Sequence, residues 1–114
     1  MKRHKIDKGA EKIVRAIIQD SEARQKRKRS GRQSEFDILA DEAIAQGKND
    51  LHFPDCAVSI RKHLINKICD SLANSTPWET LGETYCCRRL FYAYRKEFSY
   101  LVAKHLKVIR NDNI

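Results

Sequence analysis

Residues 76–100 read TPWETLGETYCCRRLFYAYRKEFSY. The stretch opens on a helix start, crosses a glycine and two adjacent cysteines, and then becomes basic and aromatic together. A core helix has no use for Arg88, Arg89, Arg95 and Lys96. A solvated helix has none for Phe91, Tyr92, Tyr94, Phe98 and Tyr100. Both sets on one segment require two faces with different jobs. Thr76 stands as an N-cap, Pro77 at the first helical position and Glu79 at the third, where its carboxylate closes a capping box. That predicts a short helix burying Trp78 and Leu81, with Gly82 admitting a neighbouring backbone. A turn near residues 84–86 follows, then a second helix over 87–108. Its expected buried stripe is Phe91, Tyr94 or Arg95, Phe98, Leu101, Val102, His105 and Ile109. Arg88, Arg89, Tyr92, Arg95 and Lys96 belong to the opposite face of its first turns.

A short helix crossing a longer one, with arginines at the exposed start of the second, is what a helix-turn-helix requires. The second helix enters the major groove by its N-terminal residues. There Arg pairs bidentately with guanine, and Tyr or Lys reaches phosphate. The segment PWETLGETYCCRRLFYAYRKEFSYLVAKHL resembles the C-terminal helix-turn-helix of small phage and prophage regulators of the ArpU/RinA type, which are themselves similar to region 4 of sigma factors. Trp78 and Leu81 match the first helix of that pattern and residues 87–96 match the recognition helix. RRLFYAYRKEF carries most of the likeness, and the N-terminal half of the chain carries none. Cys87 departs from the pattern, standing where Ser or Thr often caps the recognition helix. The resemblance implies transcription control of phage genes. The implied partners are double-stranded DNA, RNA polymerase or another protein, and a second copy of the chain.

Charge is distributed unevenly along the 114 residues. Residues 1–32 carry +8, residues 33–83 carry −5 and residues 84–110 carry +6. Two basic ends around an acidic middle point to a polyanion, with solubility as the bland alternative for the first segment. Four glycines, two prolines and abundant Ala, Leu, Lys, Arg and Glu favour helices. The length suits one domain with a modest core.

Residues 6–29 read as a single amphipathic helix on Ile6, Ala10, Ile13, Val14, Ile17 and Ile18, solvated or frayed beyond Ile18 where only Ala23 is apolar. The basic run Lys26, Arg27, Lys28 and Arg29 ends at a Ser-Gly breaker. Residues 35–46 form a short helix capped by Ser34, with Phe36, Leu39, Ala40, Ala43 and Ile44 inward and Gly47 as its stop. Residues 48–55 are a loop with Phe53 as a core plug. Residues 56–73 form the strongest helix, capped by Asp55, with Ile60, Leu64, Ile68 and Leu72 as a ladder widened by Ala57, Ile65 and Cys69. Arg61, Lys62 and Lys67 fall on its solvated face, and His63 lies beside the ladder.

Several function classes lack support. MKRHKIDKGAEKIV has no apolar segment behind its charged start, so a cytoplasmic protein without a signal peptide is expected. The longest apolar run, LFYAY, is far shorter than a membrane span. Cys56, Cys69, Cys86 and Cys87 are expected as free thiols. The set His52, Cys56, His63 and Cys69 lacks the paired spacing of a zinc site, and Phe53-Pro54 interrupts it. No glycine-rich phosphate loop or activated nucleophile is evident. The reading is therefore all-α, with four to five helices. A basic N-terminal helix and arm covers 1–32. A helical domain covers 33–114, with the helix-turn-helix at about 76–109. No catalysis, cofactor or metal is assigned. The favoured function is a DNA-binding prophage-type regulator. Arg88, Arg89 and Tyr92 would read bases or the groove wall, and Arg95, Lys96 and residues 26–29 would contact phosphates. The alternative is a small helical protein-interaction module of phage or bacterial origin without DNA binding.

Overall fold

A computed structural model describes residues 8–53 and 58–107. Within them the chain is all-α, with helices α1 (Lys8–Gln19), α2 (Ser21–Arg29), α3 (Glu35–Asp50), α4 (Val58–Asn74) and α5 (Arg88–Leu106). A 3-10 turn, Trp78–Thr80, lies between α4 and α5. None of the described helices is long and apolar enough to cross a membrane.

Helix α5 is the hub, touching α1, α3, α4 and the 3-10 turn. Its apolar stripe is the reason. Phe91, Phe98, Val102 and Ala103 are fully buried, and Tyr94, Ser99 and Leu106 complete the face. Each large apolar side chain removed from water contributes roughly 1.5–3 kcal/mol. Leu101 and His105, expected in that stripe, are only half-buried. His105 Nε2 instead lies 2.7 Å from Asp50 Oδ2 at the end of α3. Ile109 lies outside the described residues.

Helix α3 corrects the sequence reading in two places. Gly47 does not stop the helix, which runs through to Asp50. Phe36 and Leu39 do not enter the core; they are 55% and 39% exposed. The inward residues are Asp37, Ala40, Ala43 and Gly47. One cause explains both corrections: α3 lies close against α5 and presents its small residues there. A Cβ on Gly47 would stand 2.7 Å from Val102 Cγ2 and 3.4 Å from Phe98 Cε1. Glycine inside a helix costs about 1 kcal/mol relative to Ala, and the close approach offsets it. The Ser34 cap is present as expected, as a capping box in which Asp37 N–H donates to Ser34 Oγ and Ser34 N–H donates to Asp37 Oδ2.

The C-terminal end of α3 is closed by Arg61, which the sequence placed on a solvated face. Its guanidinium donates to the carbonyls of Lys48, Asn49 and Leu51, the last at 3.1 Å, satisfying acceptors that a helix end leaves open. Its charge also sits 5.8 Å from the Phe53 ring centre. Phe53 plugs the core as expected, edge-on to Tyr94 at 4.7 Å.

The helix expected over 6–29 is two helices. Ala10, Val14, Ile17 and Ile18 form the buried face of α1, and the break falls at Asp20. Ile6 lies outside the described residues, as do Asp55, Cys56 and Ala57 at the expected start of α4. Leu64, Ile65, Ile68 and Leu72 are buried on α4, with Ile60 and Cys69 half-buried beside them.

Candidate nucleic-acid interface

The start of α5 is where the sequence pointed. Cys87 occupies the N-cap position without a side-chain cap bond. Arg88, Arg89 and Leu90 follow, all exposed. The expected capped helix before them is absent: Pro77, not Thr76, holds the cap position of a three-residue 3-10 turn that has no side-chain cap bond. Two contacts explain the short turn. Trp78 N–H donates to Tyr92 Oη at 3.2 Å, and Trp78 Nε1–H donates to Thr84 Oγ1 at 2.9 Å. The turn is thus braced on α5 and on its own loop, and Trp78 is half-buried against the core. Glu79 is drawn out of any capping role and pairs with Arg88 at 3.0 Å.

Tyr92 lies between two guanidiniums, with Arg88 5.4 Å and Arg95 4.7 Å from its ring centre. These cation–π contacts hold the ring half-buried at the root of the helix start. Arg95, expected at a phosphate, is turned inward. Its Nη1 donates to Ser71 Oγ at 2.9 Å, and Ser71 O–H donates to Thr76 O at 2.8 Å. Burial, and then the Arg15 charge, push the Arg95 guanidinium below its ordinary range. Arg15 closes the same corner, donating to Leu72 O and Ser75 Oγ at 3.3 Å each. Two cations at the C-terminus of α4 match the negative end of its dipole. Lys96 remains exposed.

The second basic segment is sorted in the same way. On α2, Arg24 is 3% exposed. Its Nη1 donates to Ile17 O, its Nε to Asp41 Oδ1 at 2.8 Å and its Nη2 to Ser21 Oγ at 3.1 Å. Arg27, expected at a phosphate, grips Asp37 with two bonds of 2.7 and 2.9 Å and reaches Asp20 at 2.6 Å. The Arg27 bond holds Asp37 down at about 2, and the same carboxylate raises Arg27 above its ordinary value. Only Lys26, Lys28 and Arg29 of the expected run stay exposed. The pairs Arg24–Asp41 and Arg27–Asp37 tie α2 to α3.

Sequence reasoning gave no structural role to Arg15, Arg24 or Arg61. A signal existed for Arg24 and Arg27. Bases three apart face acids four apart, Asp37 and Asp41, across a short turn, which is the spacing of two facing helix turns. Of the thiols, Cys69 and Cys86 are pushed up by burial, as small apolar groups would be. Cys56 lies outside the described residues, so the His52, Cys56, His63 and Cys69 set is not described as a whole. Protein-family models, curated proteins and solved structures yield no match to the chain.

Proposed function

We propose that the chain is a double-stranded DNA-binding protein, a prophage-type transcriptional regulator, that reads the major groove with the start of α5. The observation that carries this reading is the pair Arg88 and Arg89, exposed in the first turn of a helix whose other face is anchored by Phe91, Phe98 and Val102. Arg89 and Lys96 are seven residues apart, so they share a line along the helix. The Trp78–Thr80 turn takes the place of the first helix of a helix-turn-helix and fixes the approach through Tyr92. Arg88 and Arg89 make the base contacts, with Tyr92 as the wall behind them. Lys96 with Lys26, Lys28 and Arg29 supplies phosphate contacts. Arg95 and Arg27 leave the set, because their forks are already filled from within.

The resemblance to ArpU/RinA-type regulators supports the same reading from RRLFYAYRKEF. Its test is selection of bound duplexes from random DNA, followed by sequencing and titration at two salt concentrations. A recovered motif and an affinity that falls steeply with salt are the expected results. No enrichment, or binding indifferent to salt, overturns it. A second reading, protein association, has its own observation: Phe36, Ile38 and Leu39 stand exposed on α3.

A further inference from the structure

We propose, on the groove reading of α5, that Glu79 is a positioning residue that turns Arg88 toward guanine, so that the two together set one base pair of the recognised sequence. Arg88 is held on two sides. Its Nε lies 3.0 Å from Glu79 Oε1. Its guanidinium carbon lies 5.4 Å from the centre of the Tyr92 ring, one turn further along α5. Both supports are themselves braced. Tyr92 Oη accepts the Trp78 N–H at 3.2 Å, and Arg95 stands 4.7 Å from the same ring. Glu79 is the middle residue of the 3-10 turn that begins at Trp78, and Trp78 Nε1–H ties that turn to buried Thr84. Glu79 and Arg88, well apart in sequence, thus meet on one braced corner.

The chemistry of the pair selects the ligand. A guanidinium is a rigid planar fork whose donors pair with two acceptors at once. Glu79 occupies the Nε side of Arg88. Nη1 and Nη2 take part in no hydrogen bond or ion pair among the described residues, and the side chain is 67% exposed. Those two groups are the fork that meets guanine O6 and N7. Adenine and cytosine each present an amino donor in the groove, which meets the same fork donor to donor. A phosphate brings a second anion beside Glu79 and has to displace the carboxylate or bear its repulsion. Guanine offers two acceptors on a neutral ring, so Arg88 keeps Glu79 while it binds. A group that penalises the wrong ligand raises specificity even where it adds no affinity. Arg89, exposed and outside any ion pair among the described residues, has no such director. As an exposed ion pair the contact adds little to stability, so its effect lies in direction.

Titration of the full chain on the duplex selected from random DNA, and on every single-base substitute of it, tests the pair. Arg88→Ala should abolish the preference for guanine at one position. Glu79→Ala should lower it at that same position by roughly tenfold, with the melting temperature kept. Adding Glu79→Ala to Arg88→Ala should change the preference no further. Glu79→Gln retains an acceptor for Nε and removes the charge. It should keep the preference and raise affinity on all duplexes alike. If Glu79→Ala raises affinity everywhere and keeps the guanine preference, the positioning role is overturned and the groove reading stands. A loss at a base pair that Arg88 does not control means that Glu79 reads that base itself, which also overturns it. So does a base other than guanine at the Arg88 position, or a fall in melting temperature that accounts for the lost affinity. A parent chain that binds no duplex overturns the groove reading and the pair with it.

Discussion

The run RQKRKR at the end of α2 and the run RRLFYAYRK at the start of α5 look alike in a count of charges, but the fold uses them differently. On α2, Arg24 and Arg27 turn inward, and Lys26, Lys28 and Arg29 outward. On α5 two arginines turn outward and the third inward. What separates them is the group standing opposite. Across from α2, the partner helix sets Asp37 and Asp41 within reach of two guanidinium forks, whose planar geometry suits bidentate pairing. Across from the start of α5, the one ion-pair partner among the described residues is Glu79, exposed like Arg88 itself. Such a surface pair is worth about 0–1 kcal/mol and yields readily to a phosphate. Net charge therefore locates a basic segment, whereas the opposing carboxylates decide whether it is structure or contact surface.

Phe98→Ala should have the largest effect, about 3–5 kcal/mol of stability, because Phe98 is fully buried where α5 meets α3. Urea denaturation measures it. Both basic regions stand on this core, so DNA binding should fall with it at temperatures where the variant melts. A variant as stable as the parent would remove α5 from the centre of the fold.

Arg24→Ala comes next and bears directly on the contrast. It removes the cation from Asp41 and the donor from Ile17 O, and the expected cost is about 2 kcal/mol, reduced from the fully buried case because Asp41 is partly exposed. Lys28→Ala, four residues on, should stay within about 0.5 kcal/mol. Equal losses would erase the distinction between the inward arginines, Arg24 and Arg27, and the outward cations of α2. The same ladder sets an acid limit. Asp37 titrates at about 2 instead of 3.8, so its contribution is fully present above about 4 and is lost as pH falls from there toward 2. Asp37→Asn should flatten the acid limb of a stability-against-pH curve; an unchanged limb would assign acid sensitivity to other groups.

The long apolar ladders were legible in the sequence because their period is a local property. Leu64, Ile68 and Leu72 on α4, and Phe91, Phe98 and Val102 on α5, needed no knowledge of neighbours. Gly47 misled because a glycine reads as a stop by conformation, and only the position of Val102 reveals it as a point of close approach. Phe36 and Leu39 misled for the same reason, since small residues won the helix–helix contact. Arg24 and Arg61 read as solvated by type and Arg95 as a phosphate contact, yet each ends on a carbonyl, hydroxyl or carboxylate from another element. The exposed start of α5 was legible, because Arg88 and Arg89 precede the first buried residue of their helix.

Arg89→Ala should sharpen the α5 side of the comparison. It leaves stability within about 0.5 kcal/mol, since the side chain is exposed and outside any ion pair among the described residues. It should cost roughly 1–3 kcal/mol on the selected duplex and relax preference at one or two base pairs. Thermal melting beside a titration on matched and mismatched duplexes separates the two effects. A fall in stability with affinity kept would make the residue structural and end the groove reading.

The smallest effect per residue belongs to the exposed cations of α2. Lys26→Gln, Lys28→Gln and Arg29→Gln leave Arg24 and Arg27 in their internal pairs, so α2 should stay tied to α3 as before. If the three touch phosphates, affinity should fall alike on every sequence, because phosphates are the same at every base pair. The slope of log affinity against log salt should drop by up to ~0.9 for each phosphate no longer neutralised, since each neutralised phosphate releases condensed counterions. Arg27→Gln alone should behave oppositely, lowering stability by breaking the grip on Asp37 while leaving the salt slope untouched. Measured together, the two variants place the boundary between DNA surface and structure inside four consecutive residues. A salt slope that falls for Arg27→Gln and holds for the triple variant would reverse the assignment. A slope unchanged in both would confine DNA binding to α5.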